Sequence, residues 1–351
     1  MKRLITFVEA IREAIDQSMA KDKDVIVFGL GVDDPKNIFG TTKDLQSKYS
    51  EDRVFDVPTS ENAMTGVGIG AAINGKKTVM VHQRLDFFLL AMDQVVNAAA
   101  KWYFMFGHQK SVPITIRLIM GRGWGQGPTH SQNLQAWFAH IPGLKVVMPA
   151  TAADAKGLLI SSILDRNPVI FLEHRWLHNI KGDVPKKYAP VPIGKANLLK
   201  KGKDITIVAM SYMVIEAIHA ADFLLKYKID IELIDLRTVA PVDYETIYKS
   251  VKKTKKVLIL DTGTLDGSIS GEILSKVVDE MWEILEIKPE RLAMPNFPEA
   301  TSFSLTKDYH VNAEDIVKKV AEMLKIKVTI GDNFKKDYPH DVPGDWFTGP
   351  F

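Results

Sequence analysis

Two side chains beside glycine-rich stretches, and a third segment that has no glycine, offer this sequence most of its chemistry. Glu61 stands in Asp56-Val57-Pro58-Thr59-Ser60-Glu61-Asn62-Ala63-Met64-Thr65-Gly66, where a short apolar run gives way to a helix rich in Gly and Ala. A carboxylate in a first helical turn is favoured by the helix dipole; kept dry, it can also serve acid–base chemistry. His130 ends the loop Gly121-Arg122-Gly123-Trp124-Gly125-Gln126-Gly127-Pro128-Thr129-His130-Ser131-Gln132. Its imidazole ordinarily titrates near neutral pH and suits proton transfer. Phe87 follows His82 and Arg84, and an arginine fork matches a carboxylate or a phosphate. The same His82 and Arg84 could instead stiffen a subunit interface. Gly66-Val67-Gly68-Ile69-Gly70-Ala71 has the spacing of a dinucleotide fingerprint, with Asp86 at the distance of a ribose ligand, which would make the protein an NAD-dependent dehydrogenase. In a true fingerprint the glycines turn directly out of a strand. Here the strand ends at Pro58 and residues 59–65 intervene, so the glycines read as the inside of a packed helix.

The elements that must position these residues follow from periodicity. Thr6 and Glu9 form a capping box for a helix whose Phe7, Ile11, Ala14 and Ile15 share one face. Strands are predicted at 25–28, 54–57, 78–82, 114–119, 146–148 and 169–172. Helices are predicted over 61–74 and 86–103, from His130, and after a cap made by Thr151 and Asp154. Short apolar strands separated by helices mean a parallel sheet covered on both faces. Residues 178–203, rich in Lys, Pro, Gly and Asp, read as a linker. The rhythm then restarts, with strands at 205–209, 231–234 and 257–260 and helices at 214–227, 244–252, 267–278 and 313–324. The expected fold class is α/β with two open parallel-sheet domains, residues 1–177 and 204–326. An irregular tail, 327–351, carries Tyr338, Trp346, Phe347 and Phe351.

A length of 351 residues suits two domains of ordinary size. A net charge of +2 gives no reason to expect nucleic acid or an anionic membrane as a partner. The absence of cysteine excludes disulfides, thiolate zinc sites and a cysteine nucleophile. The start, Met1-Lys2-Arg3-Leu4-Ile5-Thr6-Phe7-Val8-Glu9, has no apolar signal core, and no apolar run reaches the roughly 18 residues of a membrane span. The expected location is the cytoplasm.

Four stretches, taken jointly, resemble the beta subunits of thiamine diphosphate-dependent 2-oxo acid dehydrogenases, within the transketolase superfamily. The first is the Glu61 segment. The second is Asp93-Gln94 followed by Val96-Asn97 and an Ala-rich turn, with an aromatic, Phe87, six positions before Asp93. The third is the loop ending in His130-Ser131-Gln132 and continuing through Ala136-Trp137-Phe138-Ala139-His140-Ile141-Pro142-Gly143-Leu144-Lys145-Val146-Val147. The fourth is Ala153-Asp154-Ala155-Lys156-Gly157, leading to Asn167-Pro168-Val169. The likeness runs from about Thr6 to Leu324, with Pro192-Ile193-Gly194-Lys195-Ala196 and Leu236-Arg237-Thr238-Val239-Ala240-Pro241 as further markers. It implies a pyrimidine-binding domain followed by a transketolase C-terminal-like domain. It also implies that Glu61 hydrogen-bonds a ring nitrogen of the aminopyrimidine and favours its imino tautomer, that Phe87 packs on the pyrimidine, and that Met64 contributes to the cofactor site. His130 would then work near the reacting carbon, with His140 as a further substrate contact. The loop through Ser162, Ile163, Asp165 and Asn167 would hold a monovalent cation, K+, by backbone carbonyls. The implied reaction is 2-oxo acid decarboxylation with transfer of the acyl or aldehyde unit. The alternative is the C-terminal half of a split transketolase-like enzyme that moves a two-carbon unit to a sugar.

The family's Gly-Asp-Gly magnesium motif is missing. Gly-Asp occurs at Gly182-Asp183, Gly331-Asp332 and Gly344-Asp345, and none continues with Gly. The resemblance therefore implies an alpha-type subunit that holds Mg2+ and the diphosphate, in a heterotetramer whose beta subunits self-associate through the smaller domain. An acyltransferase core is a further expected partner. His82, Arg84, Asn62, the stretch Asp261-Thr262-Gly263 and the aromatic tail depart from the family pattern and bear on the substrate and on that docking.

Overall fold

The fold is described from a computed structural model covering residues 2–34, 36, 38–123, 125–334, 340, 342–344 and 346–348. Trp124, Tyr338, Asp345 and Phe351, named above, lie outside the described residues. The capping box forms as read: Thr6 Oγ1 accepts from the Glu9 amide at 3.2 Å, and Glu9 Oε2 accepts from the Thr6 amide at 2.7 Å. It opens the helix Phe7–Lys21, which lays Phe7, Ile11, Ala14 and Ile15 into the core. A short strand, Leu4–Thr6, precedes it and pairs antiparallel with Lys181–Asp183.

The larger sheet has seven strands. Their order is Thr238–Ala240, Lys145–Val147, Val169–His174, Ile114–Met120, Lys77–His82, Val25–Gly29 and Val54–Phe55. All neighbours are parallel except the first pair. The second sheet orders Glu290–Met294, Val257–Thr264, Ile205–Ala209, Ile231–Asp235 and Asn197–Lys200, with the last strand antiparallel. The α/β architecture stands as expected, with strands in three places where none was expected. The segment read as a linker contributes two strands, Lys181–Asp183 and Asn197–Lys200. Glu290–Met294 is a half-buried edge strand whose Glu and Arg hide its pattern. Thr238–Ala240 leaves the C-terminal half altogether and closes the edge of the first sheet.

That exchanged strand makes the two halves share packing. Val146 and Ile170 sit in one cluster with Leu236, Val239 and Ile247. Polar contacts add to the join: Arg237 pairs with Asp154 at 2.6 Å, and Gln135 Nε2 donates to Asp261 Oδ1 at 2.6 Å. The tail docks on its own chain. Trp346 Nε1 donates to the Trp176 carbonyl at 3.1 Å, Phe347 is buried, and Phe334 packs on Phe223. Among the described residues no helix is long and apolar enough to cross a membrane.

Asp235 at this join yields a pH prediction. Its Oδ1 accepts from the Arg237 amide at 3.0 Å, while Oδ2 is buried without a partner. Complete burial first, and the nearby Asp154 charge second, push its pKa from an ordinary 3.8 to about 8. The folded chain therefore keeps a proton that the unfolded chain has lost. Its contribution is fully present below 3.8 and disappears as pH rises through about 8. Asp235→Asn keeps the acceptor and removes the titration. Its melting temperature relative to the parent should climb by several degrees between pH 5 and pH 8, at roughly 2–4 °C per kcal/mol. A difference that stays flat with pH would refute this.

Candidate active site

Glu61 is the first residue of the helix Glu61–Ile73. That helix lies close on the sheet because Gly68 has no side chain: a Cβ there would meet Phe28 Cζ at 2.7 Å. Gly66, Gly68 and Gly70 are thus interior to a helix, as the packing reading expects, and form no strand-to-helix turn. Asp86, the ribose candidate of the fingerprint, is instead a loop anchor. Its Oδ1 accepts from Gln132 N at 3.2 Å and from Gln132 Nε2 at 2.9 Å.

Glu61 is 7% exposed as a residue, and its carboxyl makes no hydrogen bond or ion pair among the described residues. A ligand donor that reached the carboxyl would find it without a protein partner among the described residues. Met64, one turn on, is half-buried against the same core. The helix packs on Leu89–Ala91 and Gln94–Ala99, the continuation of the segment that carries Phe87. The helix read over 86–103 is in fact a succession. A short turn, Leu85–Phe88, is followed by a tight one, then the wide π-type turn Gln94–Ala99, then Ala100–Met105. Wide turns of this kind often mark functional sites.

Phe87 is 45% exposed, and its ring stands at 90° to the His130 ring with centroids 5.2 Å apart. His130 ends the short 3-10 turn Pro128–His130; the helix expected from it starts only at Gln135. Thr129 Oγ1 lies 3.0 Å from His130 Nδ1. Two further contacts tie the segments together: Asp86 to Gln132, and Arg84 Nη1 to Gln126 Oε1 at 2.7 Å. Phe87 and His130 therefore come together, and Glu61 sits on the adjoining helix.

The remaining candidates are dispersed. His82 ends the strand Lys77–His82, is 3% exposed, and packs on Phe88 with Nε2 unpartnered. Burial depresses its pKa to about 4, so it is neutral at working pH. His140 is exposed in a separate open groove with Trp137, Tyr244 and Arg291. In the loop of Ser162, Ile163, Asp165 and Asn167, Asp165 takes the Lys145 ammonium and the Asn167 amide, and its own amide donates to the Ser162 carbonyl. A cation there would have to be held by the backbone alone. Among the described residues no three His, Asp or Glu side chains gather as a metal site. Sequence reading missed Gln126 and Arg175; Arg175 Nη1 donates to Gln126 Oε1 at 2.7 Å. The only signal was the charged run Glu173-His174-Arg175 at the end of a buried strand.

This geometry agrees with what the chain resembles. The family described as "Transketolase, pyrimidine binding domain" matches residues 3–180, and "Transketolase, C-terminal domain" matches residues 194–316. A solved split-gene transketolase, recorded as an inactive beta4 tetramer, superposes with a TM-score of 0.73 at 22% identity, covering 92% of this chain and 100% of that one. At that identity the likeness is one of fold. Acetoin:2,6-dichlorophenolindophenol oxidoreductase subunit beta of Cupriavidus necator is 38% identical over 335 residues, covering 93% of this chain and 99% of the relative. Pyruvate dehydrogenase E1 component subunit beta-1, mitochondrial, of Oryza sativa is 38% identical over 318 residues, covering 90% and 85%. The fold and the two family matches thus define a protein of the transketolase type, with a pyrimidine-binding-type domain followed by a C-terminal one. More particularly, the chain belongs to the family of thiamine diphosphate-dependent 2-oxo acid dehydrogenase beta subunits.

Proposed function

We propose that this chain is the beta subunit of a heteromeric enzyme that decarboxylates a 2-oxo acid and passes on the acyl or aldehyde unit. The observation that carries this reading is the buried residue Glu61, whose carboxyl has no partner among the described residues, on a helix packed against the segment that holds Phe87 edge-on to His130. These residues fit the pyrimidine half of thiamine diphosphate, which when bound would supply the electron sink for breaking a bond beside a carbonyl. Glu61 would hold a proton at a ring nitrogen. Phe87 would cover the ring face, worth about 0.5–1.5 kcal/mol beyond burial, and Met64 would pack beside it. His130 would bind the substrate carboxylate or carbonyl oxygen and move a proton there. Arg84, with His82 and His140 further off, would face the substrate. The relatives' names point to pyruvate or acetoin as donor classes. Transfer of a two-carbon unit to a sugar is the second reading, favoured by Arg84 beside the site. The dinucleotide reading is dropped, because its glycines lie inside a helix.

An alpha-type subunit would carry the diphosphate and Mg2+, beta subunits would self-associate, and an acyltransferase core and the cytoplasm complete the proposal. A K+ ion on the backbone of the Ser162 to Asn167 loop belongs to it as well. The test is co-purification with the alpha-type product of a neighbouring reading frame, then calorimetric titration with thiamine diphosphate and Mg2+ in potassium and in sodium buffers. The expected result is saturable binding by the mixture, none by this chain alone, and tighter binding in potassium. Saturable, magnesium-dependent binding by this chain alone would overturn the shared site, and equal binding in both buffers would remove the K+ assignment.

A further inference from the structure

We propose that Arg84, backed by the buried guanidinium of Arg175 across Gln126, recognises an anionic group, carboxylate or phosphate, on the donor substrate. The placement of this point beside the reacting centre rests on the beta-subunit reading. Its chemistry rests on the arrangement of charge.

Gln126 Oε1 accepts from Arg84 Nη1 and from Arg175 Nη1, each at 2.7 Å. Two cations therefore share one neutral oxygen. Arg175 has no solvent exposure, and its Nε and Nη2 are buried without partners. An uncompensated buried charge costs several kcal/mol, so a fold that keeps one calls for an explanation. The carboxylates that act on Arg175 are Asp86 and Glu299. Neither is in ion-pair contact with Arg175: Asp86 Oδ1 holds Gln132 while its Oδ2 has no hydrogen-bond partner, and Glu299 lies 2.6 Å from Arg122 and 2.9 Å from His310. Among the described residues neither Arg84 nor Arg175 makes an ion pair, and the acceptor they share is neutral. Burial first, and the Arg84 charge second, lower the Arg175 pKa to about 9, which leaves it protonated at neutral pH. The loop is shaped for it: a Cβ on Gly123 would stand 2.9 Å from Arg175 Nη1.

Arg84 is the reachable member, half-buried where Arg175 is sealed. It lies three residues before Phe87, and Gln126 lies four before His130, on the two segments whose rings meet. An anion that replaces Gln126 as the acceptor for Arg84 exchanges a bond to a neutral amide for one to a full negative charge. The Arg175 charge behind it adds attraction that water screens poorly. Arg84 is thus a binding residue and Arg175 a positioning one.

Calorimetric titration with inorganic phosphate and with malonate, at fixed ionic strength, tests this on the isolated chain and on the alpha-assembled enzyme. At least one anion should bind saturably, and the tighter of the two identifies the group. Arg84→Met should weaken it about tenfold or more, an energy of about 1.4 kcal/mol. Gln126→Glu, whose carboxylate would take both guanidiniums, should abolish binding without lowering the melting temperature. On the assembled enzyme the same anion should compete with the donor, and Arg84→Met should raise its KM more than it changes kcat. Binding by neither anion, or equal binding by Arg84→Met, overturns the proposal. Anion binding as expected, with no uptake of thiamine diphosphate by the assembly, would keep the anion site and discard the beta-subunit reading.

Discussion

Replacing Glu61 with Gln should lower the kcat of the alpha-assembled enzyme by about 10²–10⁴-fold, the usual worth of a positioned acid–base group. The substitution is close to isosteric and tests the proton rather than the shape. Glu61 is buried at the first position of its helix and makes no hydrogen bond or ion pair among the described residues that Gln would break. The loss of its charge from the helix N-terminus costs about 0.3–1 kcal/mol, which a melting curve will register as small. KM for the 2-oxo acid should change much less than kcat, since the carboxyl is assigned to the cofactor ring and not to the substrate. The measurement is steady-state turnover with an artificial electron acceptor, beside thermal melting of the same preparation. An unchanged kcat would leave this chain as a non-catalytic scaffold of the assembly.

Much of this was legible in the sequence, because motifs on rigid elements keep their spacing. The capping box at Thr6, the Glu61 helix and the buried strands could be placed from periodicity, since each has a strong local pattern. Thr238–Ala240 could not, for three residues carry no alternation and their partner, Lys145–Val147, is about ninety positions away. Nor could the break in the helix from Asp86, because one amphipathic pattern serves an α-turn and a wider turn alike. In the site, Phe87 and His130 were named from the resemblance, and their meeting is a tertiary fact. The bond between Arg84 and Gln126 escaped because a glutamine in a glycine-rich loop has no signature of its own. The same blindness hid Arg175, whose lack of a counter-charge exists only once the strands are side by side.

The second large effect lies below the site, in the middle of the larger sheet. Arg117 on Ile114–Met120 and Glu173 on Val169–His174 are both 0% exposed, and they form a two-pronged pair, Nε to Oε1 at 2.6 Å and Nη2 to Oε2 at 3.0 Å. His178 Nε2 lies 3.7 Å from the second oxygen. Burial alone would raise the Glu173 pKa, but the Arg117 charge, with its two hydrogen bonds, and the nearby His178 overcome it and hold the carboxyl below its ordinary value. A depressed carboxylate contributes stability above the unfolded pKa of 4.5, and that contribution is lost as pH falls through the folded value. Glu173→Gln preserves volume but strands the Arg117 charge in a dry sheet, a change of about 3–5 kcal/mol. At roughly 2–4 °C per kcal/mol the melting temperature should fall by on the order of 10 °C at pH 7. The gap to the parent protein should narrow below pH 4.5, where the parent loses its own pair. Replacing both partners, Arg117→Met with Glu173→Leu, removes the stranded charge together with its counter-ion and should recover most of the loss. A double variant that melts no higher than Glu173→Gln would show that the penalty comes from packing around this strand and not from the unpaired charge.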